Sequence, residues 1–479
     1  MGPCIKYFHL FNLLLGLCLA AGTVSAQDFP AQAEALLSKG PFTGAQVGAV
    51  FMSAEDGSVL YARNPELPLV PASTAKLATS AAALERLTTD YRFTTAFLAV
   101  KGELGQKKLS ALVWRGSGDP SVSGRGRAGM TEILQQWADS LAALGVAKIG
   151  RLVLDNRYFE GPAVQQSWPA GEFSYWYQAE TSAISFNDNC VDLEFQPAAK
   201  PGRRPVIALT PDIGYIKVKN KAITGPPGSA FTLDFSRAPG TNKVTFTGSI
   251  PAGRSRKDYV SVHEPALFAA EAFRSVLKTK GIKVSKIADW EKAGLKEEDL
   301  APAFDWRSEP LAKLVKVVNT NSQNFYAEQI LKTLGKEAAG SGTFAGGVSQ
   351  VNAYLVRAGL MGGQFYLVDG SGLSTEDRFT AAGLARLLLY VQGTPQFPVY
   401  YESLATSKEQ DRMKGDPLAE GMRMKRGTVA NARNLAGYLH SASGKLYVFA
   451  VLVNAPGLNR AAVDDGIDAL CLAAARQFP

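Results

Sequence analysis

Histidine is nearly absent: three stand in 479 residues, His9, His263 and His440. His9 lies in the N-terminal apolar stretch. His263, in "SVHEPAL", reads as an exposed turn residue before a helix, and His440, in "AGYLHSASGK", as the end of a hairpin. Neither has the setting of a general base, so a Ser-His-Asp triad is disfavoured. Too few histidine and cysteine ligands remain for a zinc site. The four cysteines include two in the N-terminal stretch, which leaves Cys190 and Cys471. Two cysteines so far apart make no disulfide framework, and buried free thiols are expected. Beyond the N-terminus no apolar run approaches the ~20 residues of a membrane span. There is no internal repeat, no low-complexity segment and no Lys/Arg-rich block. The net charge of +8 is spread along the chain. That distribution excludes nucleic acid beyond non-specific attraction, and suits a carboxylate-rich wall or at most peripheral contact with lipid head groups.

The N-terminus is the one place with a targeting pattern. "MGPCIKYFHLFNLLLGLCLAAGTVSAQD" has an early Lys6, an apolar run from about Leu10 to Ala21, and small residues at Val24-Ser25-Ala26. It reads as a cleaved secretory signal over residues 1–26, with the mature chain starting near Gln27. Leu17 before Cys18 argues against a lipid anchor. Export across the inner membrane to the periplasm is the expectation, and nothing in the sequence sets an oligomeric state.

The remaining length suits two or three domains. A short helix, a hairpin turning on Asp56-Gly57 and the helix "TAKLATSAAALERL" come first. From 94 to 285 the chain is mostly strand and turn. A polar connector spans 291–309. Helices and antiparallel strands then alternate to a closing helix, "RAAVDDGIDALCLAAARQF". The pattern predicts one α/β domain from 27–93 and 286–479, an antiparallel sheet flanked by helices, interrupted by a strand-rich insertion at 94–285. The insertion itself divides into two nested parts, about 94–184 with 256–285, and 185–255.

Three short motifs carry chemistry. In "LVPASTAKLATSAAALERL", Ser73 and Lys76 lie three residues apart at a helix start, where the amine reaches the hydroxyl. A helix N-terminus also stabilises an oxyanion and lowers a nearby amine's pKa. Lys76 acts as a base only when neutral, through desolvation or a second positive charge. The plainer alternative is Ser73 as an N-cap. In "VVNTNSQNFYAEQ", Ser322 and Asn324 occupy a break between two helices and can face one cleft. Alone they read as the cap of a helix beginning near Phe325. In "EGMRMKRGTVANARNLAGYL", Lys425, Arg426, Gly427 and Thr428 lie on a strand. Lys425 could supply the second charge, and Gly427 lets a ligand lie against the backbone. The alternative is an edge strand with protective charges.

Taken in order, Ser-x-x-Lys, Ser-x-Asn and Lys-x-Gly resemble the penicillin-recognising serine DD-peptidases. The wide spacing from Ser73 to Ser322, and the phrases "RGSGDPS", "DNRYFEGP", "SAISFNDN", "SQNFYAEQILKTLG" and "DGSGLS", resemble the penicillin-binding protein 4 type of D-alanyl-D-alanine carboxypeptidase/endopeptidase (low-molecular-mass class C). The resemblance covers essentially the whole mature chain. It implies hydrolysis of D-Ala-D-Ala ends or D-centre cross-links in peptidoglycan stem peptides, and acylation by β-lactams, with no metal or cofactor. Ser73 is then the nucleophile and Lys76 its base. Ser322 relays a proton to the leaving amine under the influence of Lys425, and Asn324 binds the acyl-chain amide and helps hold Lys76. The N–H groups of Ser73 and Thr428 form the oxyanion hole, and Thr428 with Lys425 holds the terminal carboxylate. One departure stands out: the family's third motif reads Lys-Thr-Gly, and Arg426 replaces the threonine. Arg426 either binds the carboxylate, points away, or crowds the cleft and leaves a catalytically impaired wall-binding scaffold. A β-lactamase fits less well, because no second motif serves deacylation. Asp155, at a strand end in "VLDNRYF", caps a turn or contacts an amine of the peptide. Trp168, Trp176 and Tyr177 pack inside or stack on a glycan.

Overall fold

The computed structural model describes residues 29–479; the expected signal and the Cys18 reading lie outside them. Among the described residues no helix is long and apolar enough to cross a membrane.

A six-stranded antiparallel sheet organises the domain built from both ends of the chain. Its order is Ala405–Thr406, Arg423–Val429, Ala432–His440, Leu446–Asn454, Gln46–Ser53, Val59–Arg63. Period-two alternation sorts the strands' side chains onto two faces. Phe449, Val451 and Val453 enter one core with the terminal helices Phe29–Leu37 and Arg460–Gln477. Val448, Ala450 and Leu452 enter the other, shared with Lys76–Arg86, Leu311–Thr320, Asn324–Ala339, Phe344–Arg357 and Ala381–Gln392. Two of these helices sit inside the core: Lys76 to Leu84 and Asn324 to Gly335 are buried without a break, polar Lys76, Glu328, Gln329 and Lys332 included. A helix buried all round is a rigid mount for whatever its first turn carries. The short outer strand Ala405–Thr406 pairs only with Arg423 and Met424. Lys425 to Val429 therefore form a sheet edge.

The insertion centres on a second sheet, ordered Lys283–Asp289, Lys148–Asp155, Lys108–Arg115, Thr94–Val100, Leu300–Arg307. The helices Glu132–Ala143 and Pro265–Thr279 cover one face and share their core with Leu193, Phe195, Phe235 and Phe246 of the smaller strands. Two sequence expectations need correction. The boundary at 285/286 falls inside the strand Lys283–Asp289, and the polar "connector" 291–309 contains the edge strand Leu300–Arg307, paired with Thr94–Val100. The cause is compositional: this edge strand is half-exposed and polar on one side, so its alternation is weak. Cys190 and Cys471 are buried free thiols. His263 is half-buried, its Nδ1 2.9 Å from Glu180 Oε1, and not the exposed turn residue expected.

Candidate active site

The nucleophile's position is set before Ser73 itself. Asn434 Nδ2 donates to the carbonyls of Val70 and Pro71 (2.9 and 2.7 Å), and Asn454 Oδ1 accepts from the Val70 N–H at 2.7 Å. Two sheet strands thus grip the chain just upstream. Ala72 follows at φ +46°, a left-handed conformation unfavourable for a residue with a Cβ. A 3₁₀ turn, Ala72–Ala75, then runs into the α-helix Lys76–Arg86. In a 3₁₀ turn residues i and i+3 eclipse, which stacks Lys76 directly over Ser73. Ser73 is not an N-cap: no side-chain capping bond is present.

Lys76 is fully buried. Its Nζ lies 2.9 Å from Ser73 Oγ, 2.7 Å from Asn324 Oδ1 and 2.7 Å from the Ser371 carbonyl. Asn324 Oδ1 and the carbonyl only accept, so they take two N–H bonds. A neutral amine has two N–H groups and one lone pair, and the lone pair then faces the Ser73 hydroxyl. Burial pulls the Lys76 pKa down to about 8, against the opposing pull of Asp369, Glu328 and Asp377. Desolvation, rather than a second ammonium, is therefore the leading cause.

Ser322 bridges the helices Leu311–Thr320 and Asn324–Ala339 at φ +56°. Strain of this kind persists only where the surroundings over-determine it. Here Lys425 Nζ donates to Ser322 Oγ at 2.8 Å and to the Arg426 carbonyl at 3.1 Å. Lys425 is fully buried, and its pKa is held well below the usual lysine value by burial first and then by Lys76 and Arg426. Asn324 is the first helical residue and not a cap; its Nδ2 donates to the Tyr177 carbonyl at 2.9 Å, so the insertion forms one wall of the site. Gln323 reinforces this through Asp188 Oδ2 at 3.0 Å.

Gly427 has a different reason from the one expected. A Cβ there would meet the Pro71 carbonyl oxygen at 2.5 Å. The glycine admits the nucleophile's own turn rather than a ligand. Gly372 does the same from the opposite side, where a Cβ would lie 1.9 Å from the Ala72 carbonyl oxygen. The loop around Gly372 is held by Asp369, whose oxygens accept from the N–H groups of Ser371, Gly372 and Ser374, and by Glu328, which accepts from Gly370 and Ser371. Burial, and after it the nearby Asp369, push the Glu328 carboxyl well above the usual carboxylate range. The Ser371 carbonyl is the member of the site that sequence reading missed. "DGSGLS" reads as a turn, and a backbone ligand has no residue type to announce it.

Arg426 alternates with Lys425 onto the face that carries Met424, beside Thr428. Asp155 is outside the cluster: Arg115 (2.8 Å) and Arg157 (2.8 Å) neutralise its carboxylate at the strand end, so it is no free partner for an amine. Those cations hold its pKa below the usual carboxylate value against burial, the largest single influence. Trp168 is buried and donates to Asp369 Oδ2 at 2.9 Å, which makes it a support of the loop. Trp176 and Tyr177 are half-buried against the same core.

Similar proteins are found among the D-alanyl-D-alanine carboxypeptidases. A D-alanyl-D-alanine carboxypeptidase from Actinomadura sp. (strain R39) is 32% identical over 445 residues, spanning 88% of this chain and 80% of the relative. The D-alanyl-D-alanine carboxypeptidase DacB of Haemophilus influenzae is 23% identical, with 86% of each chain covered. The crystal structure of penicillin-binding protein 4 from Haemophilus influenzae superposes with a TM-score of 0.81 at 22% identity, covering 93% of this chain and 99% of that one. The D-Ala-D-Ala carboxypeptidase 3 (S13) family matches residues 30–477, and the chain belongs to that family.

Proposed function

We propose that this chain is a secreted serine DD-peptidase that works on the D-Ala-D-Ala ends and D-centre cross-links of peptidoglycan through a Ser73 acyl-enzyme, and that β-lactams acylate the same serine. The observation that carries the reading is the buried Lys76 amine, whose two acceptors leave its lone pair on Ser73 Oγ. The H. influenzae structure is also known in complex with a β-lactam, which supports the last point.

In the proposed reaction Ser73 Oγ attacks the carbonyl of the penultimate D-alanine as Lys76 takes its proton. The N–H groups of Ser73 and Thr428 stabilise the oxyanion, at ~3 kcal/mol per donor. Because Lys425 donates to Ser322 Oγ, the Ser322 proton is free to pass to the leaving amine, and the proton that Lys76 took from Ser73 replaces it on Ser322. Release of the C-terminal D-alanine leaves an ester on Ser73, which water hydrolyses. Asn324 acts first as the clamp on Lys76; its Nδ2 is already committed to Tyr177.

Purified protein is expected to label covalently with fluorescent penicillin, with the label on Ser73 in a peptide map, and to release D-alanine from a D-Ala-D-Ala peptide. Protein that does neither is the impaired scaffold instead. Digestion of cross-linked muropeptides then separates endopeptidase from carboxypeptidase action.

Acylation also follows the Lys76 titration. The lowered pKa of about 8 means that the neutral form is gained as pH rises. Between pH 6 and pH 9 the neutral fraction, and with it the acylation rate, is expected to rise about 90-fold and then level off. A rate that is flat over this range rules Lys76 out as the base.

A further inference from the structure

The smaller strands of the insertion hold most of the chain's surplus charge. Residues 196–247 contain eight Lys and Arg against two Asp, a surplus of six where the whole chain carries +8. The cations stand singly or in pairs, so no block shows in the sequence, and the strands gather them. Lys217, Lys219, Lys221 and Ile223 follow at every second position and are all exposed, while Ala222 and Thr224 on the other face are buried. The register sets Lys243 beside Lys217 on the parallel neighbour strand Lys243–Thr247. Like charges paired in register destabilise a sheet unless something answers them. The Thr224 carbonyl accepts from the Gly202 N–H at 2.8 Å, the Thr224 N–H donates to the Arg203 carbonyl at 2.7 Å, and Asn220 Nδ2 donates to the Pro205 carbonyl at 2.9 Å. These bonds lay exposed Arg203, Arg204 and Val206 alongside the stripe. The two acids turn elsewhere: Asp234 accepts from the Tyr175 hydroxyl at 2.9 Å, and Asp212 borders a cleft with Arg274 and Lys278. Arg237 and Arg256, nearby, have carboxylate partners in Glu180 and Asp258; among the described residues the cations of the stripe and its flank have none. Lysines on the edge strand Lys217–Asn220 also guard it against pairing with another chain. That role needs no cation at Arg203, Arg204 or Lys243. Nor does it account for the bare aliphatic side chains among them: Val206, Val218 and Ile223 are 60%, 43% and 48% exposed.

We propose that this face of the insertion, centred on Lys217, Lys219, Lys221 and Ile223, docks the protein on the surface of an anionic phospholipid bilayer. Anionic head groups answer the cations, and the apolar boundary beneath them takes up Val206, Val218 and Ile223. A carboxylate polymer of the wall would meet the cations alone and leave the aliphatic side chains in water. Docking of this kind is independent of the DD-peptidase reading above.

The test is co-sedimentation of the purified protein with vesicles of phosphatidylglycerol and phosphatidylcholine in equal parts, against vesicles of phosphatidylcholine alone. Binding is expected only where phosphatidylglycerol is present, and is expected to fall steeply with added salt. The triple variant Lys217→Gln, Lys219→Gln, Lys221→Gln is expected to weaken it on the order of 100-fold. Ile223→Ser leaves the charge unchanged and is expected to weaken it roughly 5-fold. All four side chains are exposed, so both variants are expected to unfold at the wild-type temperature. Wild-type protein that ignores phosphatidylglycerol vesicles and sediments instead with isolated peptidoglycan, with a loss in the triple variant and none in Ile223→Ser, overturns the proposal in favour of the wall. Vesicle binding that survives the triple variant overturns it as well, and moves the contact to another part of the chain, residues 1–28 included.

Discussion

Lys76→Met is expected to lower acylation of Ser73 by at least ~10³-fold, read as the rate of covalent penicillin labelling, with the fold retained. The amine is buried, so no water stands ready to replace it as a base. Among the described residues the two histidines lie elsewhere: His263 pairs with Glu180, and His440 Nδ1 lies 3.2 Å from the Gly421 carbonyl. Methionine matches the chain length and removes the desolvation penalty of an amine. Against that, Asn324 Oδ1 and the Ser371 carbonyl lose their donor, at about 1–3 kcal/mol for each buried group left unsatisfied. The two effects oppose, so a folded protein by circular dichroism with almost no labelling is the expected outcome. Labelling at near wild-type rate would place the base on another residue and remove the basis of the mechanism.

Gly427→Ala is the second large effect, and it acts through geometry alone. The new methyl meets the Pro71 carbonyl oxygen at 2.5 Å, with Asn434 Cβ and Thr74 Cγ2 both at 3.2 Å. A backbone carbonyl has no rotamer to escape into, and this one already accepts from Asn434 and from the Thr74 hydroxyl at 2.7 Å. Either the strand withdraws from the turn or the turn shifts under Ser73. A displacement of ~1 Å between nucleophile and oxyanion donors is expected to reduce acylation about 100-fold. Overpacking of this kind is expected to destabilise the protein by roughly 1–3 kcal/mol. Labelling kinetics and thermal unfolding measure the two effects separately. Normal labelling in a protein of normal stability would show that strand and turn are not in contact.

Much of the fold was legible from periodicity. The strong alternation of Ala432–His440 and Leu446–Asn454 and the apolar helices around Ser73 and Asn324 come from buried faces, which leave a pattern. Where burial is one-sided or weak, as in Leu300–Arg307, the pattern fades and a strand reads as a connector. The helix Phe397–Ser403 was missed because it is short and begins within "GTPQFP", a stretch rich in breakers.

The site divides in a similar way. Ser73, Lys76, Ser322, Asn324 and Lys425, which the fold brings together, stood out as candidates because each contributes a side chain whose type is tied to its proposed chemistry. Asp155 read as available since its residue type and position at a strand end are visible in the sequence, whereas the two arginines that neutralise it are 40 residues before it and two after it.

From residue order alone came the inventory: a hydroxyl and an amine three residues apart, a second hydroxyl and amide, a second amine, and too little histidine or cysteine for the common alternatives. Packing decided the rest. The amine's charge depends on desolvation, which belongs to the neighbours and not to the lysine. Its third contact is a peptide carbonyl, present at every position and so invisible in any one. The glycine beside it answers to a turn that lies more than three hundred residues away along the chain (from Pro71 to Gly427) and touches it only after folding.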